Sequence, residues 1–281
     1  MINRSTDGKQ RVLSLSYGKD SLACLGAIEQ LGLPLDRIVH AEVWATDTIQ
    51  ADLPPMVEFK EKADAIIKEH WGFEVEHYAA QNVDGVYKNK ISFDDVFYKT
   101  LGKGKHIGAI KGFPMSTGRW CQKLKLKAVE LARNENLDCI SYLGIAADEP
   151  NRFSNLSDKQ ISPLVEISWT EADCRKWCED NDLLSPIYTS SARGGCWFCP
   201  VQPLEQLRIL RKSYPDLWAL LMKWDNDSPL PFHADGHTVH DFDRRFRLED
   251  EGLIDPKATF RWSMLDDDLQ YTIFKDWSDD E

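Results

Sequence analysis

Six consecutive residues, Ser16-Tyr17-Gly18-Lys19-Asp20-Ser21, carry the densest chemistry in the chain. They follow a short apolar run, Arg11-Val12-Leu13-Ser14-Leu15, and precede the amphipathic segment Leu22 to Leu31. A strand, a tight turn and a helix are therefore expected in that order. First-turn N–H groups of such a helix point outward, and its dipole favours negative charge. Gly18 lets the backbone approach a ligand, Lys19 adds a point charge, and Ser16 and Ser21 add hydroxyl donors. The guest that fits is a phosphate. An ordinary β-turn-α joint with a surface lysine is the plainer reading; against it, strand, loop and helix fall in the order that a phosphate site needs. The Walker pattern G-x-x-x-x-G-K-S/T is absent.

Gly194-Gly195-Cys196-Trp197-Phe198-Cys199-Pro200 is the second chemical signal. A C-x-x-C turn entered by Gly-Gly and left by Pro allows both sulfurs to face one metal ion. A redox pair of the thioredoxin type competes, although such a pair caps a helix after a strand and this one lies between loops. Two unconnected buried thiols are the third reading. Cys121 is the best further ligand, because it begins a helix among basic residues and both features favour the thiolate. Cys174 and Cys178 lie on one helical stripe, Cys139 in a strand and Cys24 on the helix after the loop, so core packing is expected for all four. Cys24 or a histidine is left as a candidate fourth ligand. Thiolate count does not separate zinc from iron–sulfur.

The chain has 281 residues and a net charge of −12, with 42% hydrophobic and 28% charged residues. This suits one large domain, or one domain with an appendage. No apolar stretch approaches the ~18 residues of a membrane span, and the polar N-terminus lacks a signal-peptide core. With seven cysteines and no secretion signal, reduced thiols and a cytoplasmic location are expected. The charge is uneven: Val86 to Arg133 holds eleven Lys or Arg and three acids, Asp94, Asp95 and Glu130. A basic island in an acidic chain suits an anionic substrate focused at one place.

Arg37–Thr46, Phe73–Tyr78 and Asp138–Ala146 read as further strands. Met56–Trp71 and Cys121–Asn134 read as helices, and Ile161–Ile167 as a short edge strand. The segment 81–118 shows no period and is expected to be irregular. Thr170-Glu-Ala-Asp173 is a capping box that opens a helix to Asn181. The alternation implies an α/β fold, doubly wound around a mainly parallel Rossmann-like sheet over residues 1–190. A Cys-x-x-Cys turn and a mostly helical extension packed on that sheet are expected over 191–281. Lys19, Asp47 and Asp148 fall just beyond strand C-termini, where open α/β sheets bind ligands.

S-x-G-K-D-S after the first strand resembles the PP-loop of the adenine-nucleotide α-hydrolase superfamily. Within it, the chain up to about Pro200 resembles the phosphoadenosine phosphosulfate (PAPS) reductase family. Asp47-Thr48 is similar to the family's D-T, and Arg119-Trp-Cys-Gln-Lys-Leu-Lys125 to R-x-C-x-x-x-K. Gly144-Ile-Ala-Ala-Asp-Glu-Pro-Asn-Arg152 resembles G-x-R-x-D/E-E-S-x-x-R, and Ser162-Pro-Leu with Trp169-Thr resembles P-L…W-T. The resemblance implies that Ser16, Gly18, Lys19, Asp20 and Ser21 hold phosphates, that Asp47 lies near the adenosine half, and that Tyr17 and Thr48 belong to the nucleotide-binding set. It implies that Arg119, Lys123, Lys125 and Arg152 clamp the anionic end, with Lys19, Arg119, Lys123 and Arg152 catalytic. Asp148 and Glu149 would orient those cations, or hold Mg²⁺ if the nucleotide is ATP.

Three departures matter. Tyr17 replaces a glycine, so that position is expected to avoid positive φ and its ring to cover the phosphates or the base. Ala146 stands where the family often has arginine. The C-terminal Glu-Cys-Gly-x-His segment, whose cysteine attacks sulfate sulfur, is absent, and no cysteine follows Cys199. The resemblance therefore implies first an ATP-using thiolation enzyme, similar to PP-loop proteins that pair the loop with one distant cysteine and a C-x-x-C. It would hold a 4Fe–4S cluster on Cys121, Cys196 and Cys199, take sulfur from a donor protein and meet a nucleic-acid substrate through Val86–Arg133. The alternatives are a reductase of PAPS or a similar sulfonucleotide, with thioredoxin as electron donor, and a nucleotide-binding protein with a structural zinc.

Overall fold

Val12 and Leu13 sit on opposite faces of the first strand, and both are buried. That pattern belongs to a strand covered on two sides, as in a parallel sheet flanked by helices. The computed structural model describes residues 2–104, 106–114, 120–133, 138–190, 195–257 and 262. Residues 2–199 and the described residues from 200 onward form two compact units. The division falls at Cys199/Pro200, beyond the expected 190/191, so the Cys-x-x-Cys turn belongs to the first unit.

The elements of the first unit run β1 (Gln10–Ser14), α1 (Lys19–Leu31), β2 (Arg37–Glu42), α2 (Pro54–Trp71), β3 (Val75–Ala79), β4 (Asn82–Val83), β5 (Val86–Tyr87), α3 (Phe93–Phe97) and α4 (Cys121–Arg133). They continue through β6 (Cys139–Tyr142), α5 (Pro150–Phe153), β7 (Gln160–Ile161), α6 (Pro163–Glu166), α7 (Glu171–Asp180) and α8 (Ile187–Ser190). Five strands make one sheet in the order β3-β2-β1-β6-β7, with every pairing parallel. The chain winds outward from β1 to β3 on one side and returns to β6 on the other. The strand order therefore reverses between β1 and β6, which opens a crevice beyond their C-terminal ends.

Side-chain alternation divides the core. Leu13, Leu15, Ile38 and Tyr142 face α1, α2 and α7. Val12, Val39 and Cys139 face Ala132 of α4. α1 is buried nearly all round, from Ser21 to Ile28, because α7 covers its outer side. Gly26 makes that approach possible: a Cβ there would lie 2.3 Å from Trp177 Nε1. Cys24, Cys174 and Cys178 are fully buried in this cluster, as core packing predicts.

Two expectations are corrected. Ile161–Ile167 is not one strand: only Gln160–Ile161 pairs, and Pro163 starts the one-turn helix α6, where its missing N–H costs nothing. The segment 81–118 is more ordered than expected within its described part. Asp84 and Gly85, both at positive φ, turn β4 into antiparallel β5, as a D-G pair does in tight hairpins. Ser92 and Asp95 form a capping box on α3. The capping box expected at Thr170 and Asp173 is present on α7.

The second unit contains α9 (Leu204–Ser213), α10 (Pro215–Asp227) and α11 (Val239–Asp250). Trp218, Leu221, Trp224, Phe232, Phe242 and Phe246 form its buried apolar centre. Arg208 of α9 binds Glu249 of α11, which ties the two helices, and Arg245 binds the same carboxylate from within α11. Among the described residues no helix is long and apolar enough to cross a membrane.

Candidate functional site

The loop after β1 folds over its own hydroxyls. Ser21 Oγ donates to Gly18 O at 2.9 Å, accepts from Ser16 N at 3.1 Å and lies 3.0 Å from Ser16 Oγ. Gly18 is the N-cap of α1 in an extended conformation, so it needs no positive φ. The close approach falls instead on Gly144, just past β6. A Cβ there would come within 2.5 Å of Ser21 N and 2.6 Å of Ser21 Cα. The β6 end thus supports the first turn of α1 from below, and the two loops flanking the strand-order reversal touch.

Lys19 Nζ reaches Asp20 at 2.8 Å and Glu171 of α7 at 2.8 Å. Burial works against its charge, but the bonds to Asp20 and Glu171 outweigh burial and raise its pKa. Burial raises the pKa of Asp20 despite its bond to Lys19. Asp148 accepts from the Glu171 backbone N–H at 3.1 Å. Glu149 accepts from Arg152 at 2.7 and 2.8 Å. These residues gather around the crevice. Glu171, which comes from a distant helix, has no signal in the sequence beyond its place in the first turn of α7.

Tyr17 does not behave as expected. Its φ is +56° and its ring is fully buried, so it covers neither the loop nor a ligand. The hydroxyl donates to Asp64 and lies 3.3 Å from His77 Nε2, and the ring meets His40 edge-on at 4.8 Å. The left-handed conformation costs a non-glycine residue roughly 1–2 kcal/mol. Burying a large side chain gains about 1.5–3 kcal/mol, and the hydrogen bond adds to that, so the backbone yields.

The polar layer beneath the loop continues. His40 Nδ1 donates to Leu15 O at 2.8 Å, which leaves Nε2 to accept from Lys60 at 3.0 Å, and Lys60 also binds Asp52 at 2.5 Å. Burial, and then the Lys60 charge, lower the His40 pKa to about 3. His77 is the opposite case. Its two nitrogens donate to Asp64 and Glu42 at 2.9 Å each, and those bonds raise its pKa to about 9.

Asp47 lies past β2, paired with Lys88 at 2.9 Å, while Thr48 is exposed beside it. Lys123 binds Asp84 at 2.7 Å, and Lys111 binds the same carboxylate. Part of the basic island is therefore neutralised by the hairpin turn. Lys125 is close enough to act electrostatically on both His40 and Cys196. Arg119 lies outside the described residues.

Aromatic packing brings the cysteine segments together. Trp120 stacks on Phe93 at 4.8 Å, and Phe93 meets Phe198 at 4.4 Å. Trp197 donates its backbone N–H to Ala51 O and its indole N–H to Gln50 O, each at 2.9 Å. Cys121 and Cys199, each next in sequence to one of these rings, are carried to the same place. Burial, then Asp52 and the neighbouring Cys199 and Cys121, push the Cys196 thiol up to about 12. A soft cation would relieve that mutual repulsion. The Trp120 indole N–H is buried with no acceptor among the described residues, a donor available to an anionic or sulfur-bearing group. Donor chemistry and surroundings thus suit a thiophilic metal. The side chains as they stand are not drawn into a metal-binding set of three among the described residues.

No protein-family model matches the chain, and no curated protein matches it significantly.

Proposed function

We propose that the chain is a PP-loop enzyme of the PAPS reductase-like type, with a doubly wound, Rossmann-like sheet. It binds an adenine nucleotide at Ser16–Ser21 and acts in sulfur transfer. One observation carries the reading: a lysine-bearing loop with two serine hydroxyls lies at the N-terminus of a buried helix, at the strand-order reversal where such sheets bind nucleotides.

Ser16, Ser21 and Lys19 would meet the phosphates of ATP. Arg152, oriented by Glu149, would hold the far anionic end, while Asp148, with Asp20, would supply carboxylates for Mg²⁺. A substrate oxygen attacks the α-phosphorus and the pyrophosphate leaves. A hydrosulfide-level donor then attacks the substrate atom that carries the adenylated oxygen, a bond to sulfur replaces the bond to that oxygen, and AMP leaves with the oxygen and the bonding pair. No electrons are exchanged in either step. Cys121, Cys196 and Cys199 would hold an iron–sulfur cluster, which when bound supplies a site for delivering sulfide. The exposed lysines of the basic island suit a polynucleotide acceptor, and reduced thiols suit a cytoplasmic location.

A sulfonucleotide reductase lacks support from a further cysteine, since none follows Cys199. The test is pyrophosphate release from ATP by anaerobically purified protein, with iron, sulfide and zinc quantified together. Release that Lys19→Ala abolishes supports the reading. Release unchanged in Lys19→Ala, or binding of PAPS with none of ATP, overturns it. One zinc with no iron removes the cluster and leaves a structural role for the thiols.

A further inference from the structure

The backbone N–H of Lys19, the first residue of α1, donates to the hydroxyl of Tyr188 at 3.0 Å. The same hydroxyl would lie 3.4 Å from a Cβ built on Gly18, so it stands directly over the loop. Lys19 Nζ is 5.9 Å from the Tyr188 ring. The phenol therefore occupies the place from which a ligand oxygen would take a first-turn N–H.

Tyr188 reaches this place from a well-anchored base. Its own backbone N–H binds Ser185 O at 3.1 Å, and the buried Ser185 hydroxyl contacts Met56 Sδ at 3.0 Å. Tyr188 itself is only partly buried. Burial raises its pKa, so the group is a neutral phenol. A neutral oxygen is a poor partner for a helix N-terminus, where the dipole favours negative charge. Hydrogen bonds to an ionised acceptor are roughly twice as strong as neutral ones. A phosphoryl oxygen that entered the crevice would outcompete the phenol for the same N–H.

We propose that the Tyr188 hydroxyl marks the seat of a phosphoryl oxygen of the ligand and competes for it, so that phosphate binding displaces Tyr188 from Lys19. This rests on the phosphate-loop reading of Ser16–Ser21. The competition lowers affinity for every ligand that uses the seat and leaves a ligand bound elsewhere unaffected, because only the seat-bound fraction is taxed.

The experiment is calorimetric titration of full-length protein with inorganic pyrophosphate, for the wild type, Lys19→Ala and Tyr188→Phe. Amide hydrogen exchange over the loop is followed in the same samples. Tyr188→Phe should bind pyrophosphate about three- to tenfold more tightly, the equivalent of one modest hydrogen bond. Without ligand its loop amides should exchange faster than those of the wild type, and pyrophosphate should protect both proteins. Weaker binding by Tyr188→Phe would make the phenol a phosphate donor and overturn the proposal, as would unchanged binding. A wild type that binds no pyrophosphate, or binds it no better than Lys19→Ala, removes the phosphate reading and this inference with it.

Discussion

The phenol of Tyr17 donates to the carboxylate of Asp64, joining the loop after β1 to the middle of α2. This bond and the burial of the ring hold residue 17 at φ +56°. Tyr17→Phe keeps the ring and removes only the donor, while Asp64 retains His77 as a partner. The expected loss is about 1 kcal/mol of unfolding free energy, the usual net value of one hydrogen bond. Tyr17→Ala also empties the ring's place in the core and should cost roughly 3–5 kcal/mol. Urea titration of the three proteins checks both figures. A Tyr17→Phe protein as stable as the wild type would mean that the bond does not anchor the loop.

The strand-loop-helix arrangement around Ser16–Ser21, the order of the central strands and helices, and the core role of Cys24, Cys174 and Cys178 were all legible. Each is written locally, as an apolar run, a turn residue or a helical stripe. Tyr17 was not legible. A bulky residue in a loop reads as exposed, and its burial depends on His40, Asp64 and His77, which arrive from β2, α2 and β3. Glu171 and Tyr188 were missed for the same reason: they meet Lys19 only after α7 and α8 pack beside α1. The 84–85 turn and the Ser92 capping box could have been found, since D-G and S-x-x-D are short-range signals. Lys111 and Lys123 looked like free charge because their partner, Asp84, comes from that same unrecognised hairpin.

Gly144 and Gly18 make opposite predictions although both border the loop. A Cβ at residue 144 would press on the backbone of Ser21, which cannot swing aside as a side-chain tip would. Gly144→Ala should cost about 1–3 kcal/mol, in the range for overpacking, and should weaken pyrophosphate binding because the first turn of α1 is displaced. At Gly18 the nearest atoms are Tyr188 Oη at 3.4 Å and Ser16 Oγ at 3.5 Å, ordinary contacts, and φ is −76°. Gly18→Ala should fold with near wild-type stability. Thermal or urea unfolding of both variants decides the matter, and a Gly144→Ala protein of full stability would contradict the contact described.

His40 and His77 should give the stability curve two limbs of opposite slope. His40 is held neutral, with its pKa lowered to about 3, against roughly 6.5 in the unfolded chain. Between those values the unfolded state binds a proton that the native state refuses, so stability falls as pH drops below about 6.5. His77 is held charged, with its pKa raised to about 9 by Asp64 and Glu42. Above about 6.5 the native state keeps a proton that the unfolded state releases, so stability falls as pH rises towards 9. The buried thiols Cys24, Cys174, Cys178 and Cys196, all raised, add to the alkaline loss only above roughly pH 8.5, where unfolded thiols ionise. The window from pH 6.5 to 8 therefore isolates His77. Urea midpoints for the wild type should decline across that window, and His77→Gln should flatten the decline. His40→Gln should flatten the limb between pH 6.5 and 5, where the carboxylates have barely begun to protonate. A His77→Gln protein that keeps the wild-type slope from pH 6.5 to 8 would show that His77 is not held as an imidazolium between Asp64 and Glu42.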